Sequence, residues 1–402
     1  MSPEPVTDVF AKCATSRVQE YRAAESLGLL PYFREIASQA GPVVVHEGRQ
    51  LVMLGSNNYL GLTSDPRVKR AAVAAVQRYG TGCTGSRLMN GTLPLHLQLE
   101  AELRDWLGGE ACLVFTTGYS VNLGAVSTLV GPNDAAVVDS SCHASLIDGA
   151  RLANGSLRWF KHNSPANLRR RLSVWREEEG GEGALVVVDG VYSMEGDVAP
   201  LDPIAQVCSE MGARLLVDEA HSLGVIGPKG AGCAADAGVQ PDLIMGTFSK
   251  SLASCGGFLI GPQPVIDYLR ISCRPFLFTA AGVPAAMAAA LVALRIAVDE
   301  EWRRQVVHER ADQLRRGLQQ MGYRVGEDSR SPIIPVHVGD DWTAIRAWRV
   351  LLDHGVYTNC AVAPAVPPGR ALLRASVMAT HTEAHIRIAL DAFEAARSVF
   401  PA

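Results

Sequence analysis

Six short runs of almost unbroken apolar residues constrain this chain more than anything else in it: "ACLVFTT", "AAVVDS", "ALVVVDG", "RLLVDEA", "LIMGTF" and "GGFLIG". Each has the length of a strand, and none shows the strict alternation of a strand with one wet face. A strand apolar on both faces must be covered on both faces. Helical spacing fills much of the chain around them, as in "DPRVKRAAVAAVQRYG" and "LPLHLQLEAELRDWLGG". Together these patterns predict an α/β fold, with a mostly parallel central sheet between layers of helix.

The texture changes near residue 285. A long helical stretch leads to "SPIIPVHVG", a helix around "DWTAIRAWRVLLDHG", the run "ALLRASVMA" and a last helix to about Phe400. The expected organisation is an N-terminal arm over 1–55, a large α/β domain over 56–285 and a smaller C-terminal α+β domain over 286–402. The arm holds one helix and a hairpin, "PVVVHEGRQLVML". "REEEGGEG", residues 176–183, reads as an acidic surface loop.

Composition excludes several function classes. A net charge of −4 over 402 residues leaves no basic footprint for nucleic acid. No apolar run reaches the roughly 18 residues of a membrane span. The N-terminal residues lack the apolar core of a signal peptide, so a cytoplasmic protein is expected. The nine cysteines form no CxxC pair, so neither a zinc site nor a disulfide framework is indicated.

Ligands of open α/β sheets gather beyond the carboxyl ends of the strands. Those ends carry Gly118 and Tyr119, His143, Asp189 and Ser193, Asp218 and His221, and Thr247, Ser249 and Lys250. Taken singly, each has an ordinary structural explanation. Asp218 could cap a helix, and "DEAH" at 218–221 imitates the acidic motif of helicases. None of the five lysines follows a glycine, so the phosphate loop a helicase needs is missing.

Lys250 is the sharpest signal. It is the single charged residue in "LIMGTFSKSLASCGGFLIGPQPVI", residues 243–266. Burial favours the neutral amine, and a neutral amine can capture a carbonyl. Pyridoxal 5′-phosphate requires such a lysine, a carboxylate for its ring nitrogen, a group stacked on its ring and donors for its phosphate. Lys250, Asp218, His143 and the Gly118–Tyr119 turn before a helix supply that set.

The motifs "LGSNNYLGL", "GTGCTGSRLMNGT", "FTTGYSVN", "CHASLIDG", "GVYSMEGDVAPL", "LVDEAHSLGVIGPKGAG", "GTFSKSLASCGG" and "LLRASVMATHT" resemble the α-oxoamine synthases, a branch of the fold-type-I pyridoxal-phosphate enzymes. The likeness covers about residues 30–398. "GSRLMNGT", "TFSKS" and "CRPFLFTAA" are most similar to the serine palmitoyltransferases of that family. The resemblance implies a decarboxylative condensation of a small amino acid, serine favoured, with an acyl thioester on CoA or a carrier protein, long-chain acyl-CoA favoured, giving an α-amino ketone, carbon dioxide and free thiol.

The same resemblance implies roles residue by residue. Lys250 holds the cofactor and moves the α-proton, Asp218 partners the ring nitrogen, and His143 stacks on the ring. His221 and Ser193 lie by the ring hydroxyl. Gly118, Tyr119, Thr247 and Ser249 bind the phosphate. Thr279 reaches the neighbouring subunit's phosphate, which implies a homodimer with shared active sites. Arg374 holds the substrate carboxylate, and Asn57 and Tyr59 belong to a loop at the cleft mouth. Alternatives are 8-amino-7-oxononanoate synthesis from alanine and a pimeloyl thioester, a carrier-dependent relative of secondary metabolism, an aminotransferase, and a silent partner subunit. Two departures stand out: Asp189 where the family usually has glutamate, and Gly282-Val283 where it usually has prolines.

Overall fold

The computed structural model describes residues 8–178, 180–326 and 330–400. Residues 1–7 of the expected arm and Glu179 of the expected acidic loop lie outside the described residues. Just before Glu179 the chain is wound as a short π-helical turn over Val174–Glu178.

The arm supplies helix α1 (Ser16–Ser26) and the hairpin β1 (Val43–His46) and β2 (Arg49–Met53). Glu47 and Gly48 turn the hairpin with φ of 48° and 73°, the left-handed pair that suits the twist of two strands. Helices α2 (Pro66–Tyr79) and α3 (Pro94–Leu107) follow. Each starts with proline, whose missing N–H costs nothing there. Asp65 caps α2 through the Arg67 amide.

The central sheet contains β3 (Ala111–Phe115), β4 (Ala135–Asp139), β5 (Ser156–Phe160), β6 (Ala184–Asp189), β7 (Arg214–Asp218), β8 (Leu243–Thr247) and β9 (Gly257–Gly261). Their order is β3-β9-β8-β7-β6-β4-β5, parallel except that β9 runs against both neighbours. The crossovers carry α4 (Gly118–Leu129), α5 (Ala144–Leu152), α6 (Pro165–Ser173), α7 (Leu201–Glu210) and the short α8 (Cys233–Asp236). Helices α9 (Gln263–Ser272) and α10 (Arg274–Leu277) follow the sheet.

Apart from the edge strand β5, both faces of this sheet are covered. Leu113 and Phe115 of β3 join one core with Val121 and Ala125 of α4. The alternate residues Cys112 and Val114 join a second core with Leu99 of α3 and Leu291 of α11 (Pro284–Asp299). The two-residue period of a strand divides one apolar run between two cores. β5 was not picked out from the sequence because "SLRWF" is only partly buried at the sheet edge.

The long C-terminal helical stretch is two helices, α11 and α12 (Glu301–Gln320), broken at Glu300. A second sheet, β10 (Ile333–Gly339), β13 (Ala371–Ser376) and β12 (Asn359–Ala361), is antiparallel throughout. Helices α13 (Asp341–Asp353) and α14 (Glu383–Ala396) accompany it. β11 (Val356–Tyr357) leaves this region to pair parallel with β2 of the arm.

Candidate active site

The carboxyl ends of β4, β6, β7 and β8 open on a cleft of about 290 Å³. Gly118, Tyr119, His143, Asp218, His221, Thr247, Ser249 and Lys250 all line it. Asp218 ends β7, directly across the register from Asp189 at the end of β6. Its Oδ1 accepts from the Ala220 amide at 2.9 Å and its Oδ2 from Asn122 Nδ2 at 2.6 Å. Asn122 also donates to Ser145 Oγ at 2.9 Å. Asn122 and Ser145 line the cleft as well and were not singled out from the sequence. A neutral amide within α4 resembles any helix residue until β7, 96 positions later, brings Asp218 to it.

His143 caps α5, its Nδ1 within 2.7 Å of Ser145 Oγ. Its backbone N–H donates to Asp189 Oδ2 at 3.1 Å, so the shortened residue at 189 still reaches the cleft wall. Burial, then the adjacent Asp218 carboxylate, push the Asp189 carboxyl well above the usual range. Burial lowers the His143 pKa, opposed by Asp218 and helped by Lys250. His221 is driven well below the ordinary histidine value by burial, with the charges of Lys250 and Arg374 adding to it. The Lys250 pKa falls to about 8, chiefly through burial, although Asp218 and Asp189 oppose the shift.

At the other end of the cleft, Gly118 opens α4 behind its cap Thr117. A Cβ on Gly118 would lie 2.8 Å from Thr247 Oγ1, so only glycine allows this approach. Thr247 Oγ1 is also 2.8 Å from Ser249 Oγ. Free amides at a helix start beside two hydroxyls suit a phosphate. Tyr119 instead turns its hydroxyl to Asp148.

A second group joins the cleft through His221. Its Nδ1 lies 2.7 Å from the hydroxyl of buried Tyr59. That hydroxyl meets Asn57 Oδ1 at 3.2 Å and Arg374 at 3.5 Å. Arg374 is buried on β13, donating to the Ser193 carbonyl and to Ser376 Oγ. It has no carboxylate partner among the described residues. Ser193 is present through its backbone carbonyl and its side chain does not line the cleft. Thr279 stands apart, in a small crevice beside Phe276 and Arg87. The Gly282 carbonyl next to it accepts from His96 at 3.0 Å.

These residues fit pyridoxal 5′-phosphate. The amine, the anchored carboxylate, the imidazole and the phosphate donors line one cleft, and a Cβ at position 118 would press on Thr247, one of those donors. Asn122 Oδ1 is buried without a partner, leaving one acceptor at the cleft free.

A family model described as aminotransferase class I and II matches residues 49–393. The serine palmitoyltransferase of Caulobacter vibrioides (strain NA1000 / CB15N) is 45% identical over 378 residues, covering 93% of this chain and 92% of the relative. Among solved structures, Sphingomonas wittichii serine palmitoyltransferase matches with a TM-score of 0.94 at 38% identity, over 98% of this chain and all (100%) of that one. A structure of SPT with PLP matches at 0.94 and 38% identity, over 98% and 99% of the two chains.

Proposed function

This chain belongs to the class I and II aminotransferase family and within it to the α-oxoamine synthases, and from that membership we propose that it condenses serine with a long-chain acyl-CoA. In the overall reaction the amino acid's carboxylate leaves as carbon dioxide, the acyl group takes its place on the α-carbon, and the thiol is released. The product is an α-amino ketone.

Pyridoxal 5′-phosphate, when bound, supplies an aldehyde for amines and a ring that takes up the electron pair freed at the α-carbon. Lys250 would hold it and then move the α-proton, a task for a neutral amine. Asp218, fixed by Asn122 and the Ala220 amide, would keep a proton on the ring nitrogen. His143 would lie against the ring, held as the cap of α5. Gly118, Thr247 and Ser249 would bind the phosphate, with Tyr119 bordering it. His221, kept neutral, would link the cleft to Tyr59 and Arg374. Arg374, without a carboxylate of its own, would hold that of the amino acid, with Asn57 and Tyr59 at the cleft mouth.

Thr279 lies away from its own cleft, which supports a homodimer in which it reaches the partner's phosphate. The exposed Phe278 and Met89, 72% and 78% accessible, belong to segments joined by the Ser86–Ala280 bridge. Such an apolar surface suits a second copy. A cytoplasmic setting is part of the same reading, supported by nine free cysteines. Among the described residues no helix is long and apolar enough to cross a membrane.

The observation that carries the reading is Lys250, an amine lowered to about 8 in the same cleft as Asp218 and His143. The test is thiol release by the purified protein, crossing serine, glycine and alanine with palmitoyl-, pimeloyl-, succinyl- and acetyl-CoA. Release restricted to serine with palmitoyl-CoA is expected. Release only with alanine and pimeloyl-CoA would replace the proposed substrates. Amino-group transfer to an oxoacid without thiol release would overturn the reaction.

A further inference from the structure

His162 follows β5 and takes no part in the cleft, yet both its ring nitrogens face carboxylates. Nδ1 lies 2.9 Å from Asp139 Oδ1 and Nε2 lies 2.8 Å from Asp197 Oδ2. Carboxylates only accept, so an imidazole held this way donates from both nitrogens and is a cation. Asp139 ends β4 and is fully buried, with further bonds from the Ser141 and Asn163 amides. Asp197 belongs to a tight turn between β6 and α7. Asn163 Nδ2 secures it too, at 2.8 Å.

That turn touches the substrate machinery. It is closed by the Tyr192 amide on the Asp197 carbonyl at 3.0 Å and by the bridge between Val191 and Val198. The His162 ring stands edge-on to buried Tyr192, 4.4 Å between centroids. One residue further, the Ser193 carbonyl accepts from Arg374 Nε. Glu195, at the tip, meets His337 of β10 at 3.4 Å. The turn therefore bridges the central sheet and the sheet that carries Arg374.

We propose that His162 is a positioning residue for amino-acid binding: by tying Asp197 to Asp139 it fixes the turn whose Ser193 carbonyl aims Arg374. This rests on the reading that Arg374 holds the substrate carboxylate. Without the tie, the turn keeps its backbone bonds but loses its charged anchor to β4, and the guanidinium loses its orientation rather than its charge.

The test is spectrophotometric titration of the cofactor-loaded protein with L-serine and with ethanolamine, which is serine without its carboxylate. For His162→Gln the Kd for serine is expected to rise on the order of tenfold, because small misplacements of a positioning group are costly, while that for ethanolamine stays within about twofold. Asp197→Asn, a milder change at a half-exposed site, is expected to act in the same direction and covers the case in which His162→Gln does not fold. In an Arg374→Ala background the effect of either change on serine should vanish. Equal weakening of both ligands, or of neither, would overturn the proposal. A wild-type spectrum that responds to ethanolamine with no preference for serine would overturn the role of Arg374 itself, and the two failures are thereby told apart.

Discussion

Lys250 shows how far a single residue can be read. It is conspicuous because an isolated charge among apolar neighbours demands an explanation, and Asp218 and His143 are conspicuous beside it because one ends β7 and the other follows β4 of the same sheet. Asn122 and Ser145 are not, since their meaning lies in partners that only the fold brings close. His162 is a similar case: its two carboxylates come from positions 23 and 35 residues away in opposite directions. Two predictions belong to these residues. Cofactor capture by the cofactor-free protein should accelerate as pH rises through about 8 and level off above it, because half of the Lys250 amine is neutral at that value and most of it at higher pH; stopped-flow absorbance measures it. Lys250→Ala should lower thiol release by at least about 10³-fold, towards the upper part of the range for a lost acid–base group. For His162 the folded-state pKa of about 10 lies above the ordinary 6.5. Its contribution to stability is therefore complete below about 6.5 and is lost as pH rises through about 10. The melting temperature of the wild type should fall over that window more than that of His162→Gln.

Among the elements, the buried strands are readable because their interior positions are apolar or glycine, and β5 is not because its exposed edge admits Arg158 and Trp159. The break between α11 and α12 was hidden too. No proline or glycine marks Glu300, which leaves helical geometry at φ −95°, ψ 74° and pairs with Arg303 and Arg67. α11 follows the expected boundary near residue 285, yet its apolar side packs with α2 and α3. The start of α4 carries the prediction at this level. Gly118→Ala places a methyl 2.8–2.9 Å from Thr247 Oγ1 and Cβ. Forcing a methyl into such a contact costs about 1–3 kcal/mol. Weaker cofactor retention on dialysis is the expected outcome, with far-UV circular dichroism unchanged. A variant that keeps its cofactor as the wild type does would argue against a close approach of the phosphate to α4.

For the molecule as a whole, the two-sided sheet followed from sequence pattern, whereas the joining of its ends did not. Nothing in "VY" at 356–357 announces that it will pair with the arm. The proposed shared site has a direct test. Lys250→Ala and Thr279→Ala proteins, each impaired alone, should regain activity when mixed and allowed to exchange subunits. If Thr279 serves the neighbouring cleft, one of the two sites in the mixed dimer holds both native residues. If it acts within its own chain, every site in the mixture stays defective and no activity returns.

The link from His221 through Tyr59 to Arg374 joins residues 59, 221 and 374. A ribosome delivers them in that order. The residues that line the cofactor cleft, all between 117 and 256, emerge long before Arg374 does. On the roles proposed above, the nascent chain accordingly passes through a stage at which it has the residues of the cofactor cleft and lacks Arg374. On the proposed role of Arg374, recognition of an amino acid has to wait for β13 to take its place beside β10, after every residue of the cofactor cleft has been made.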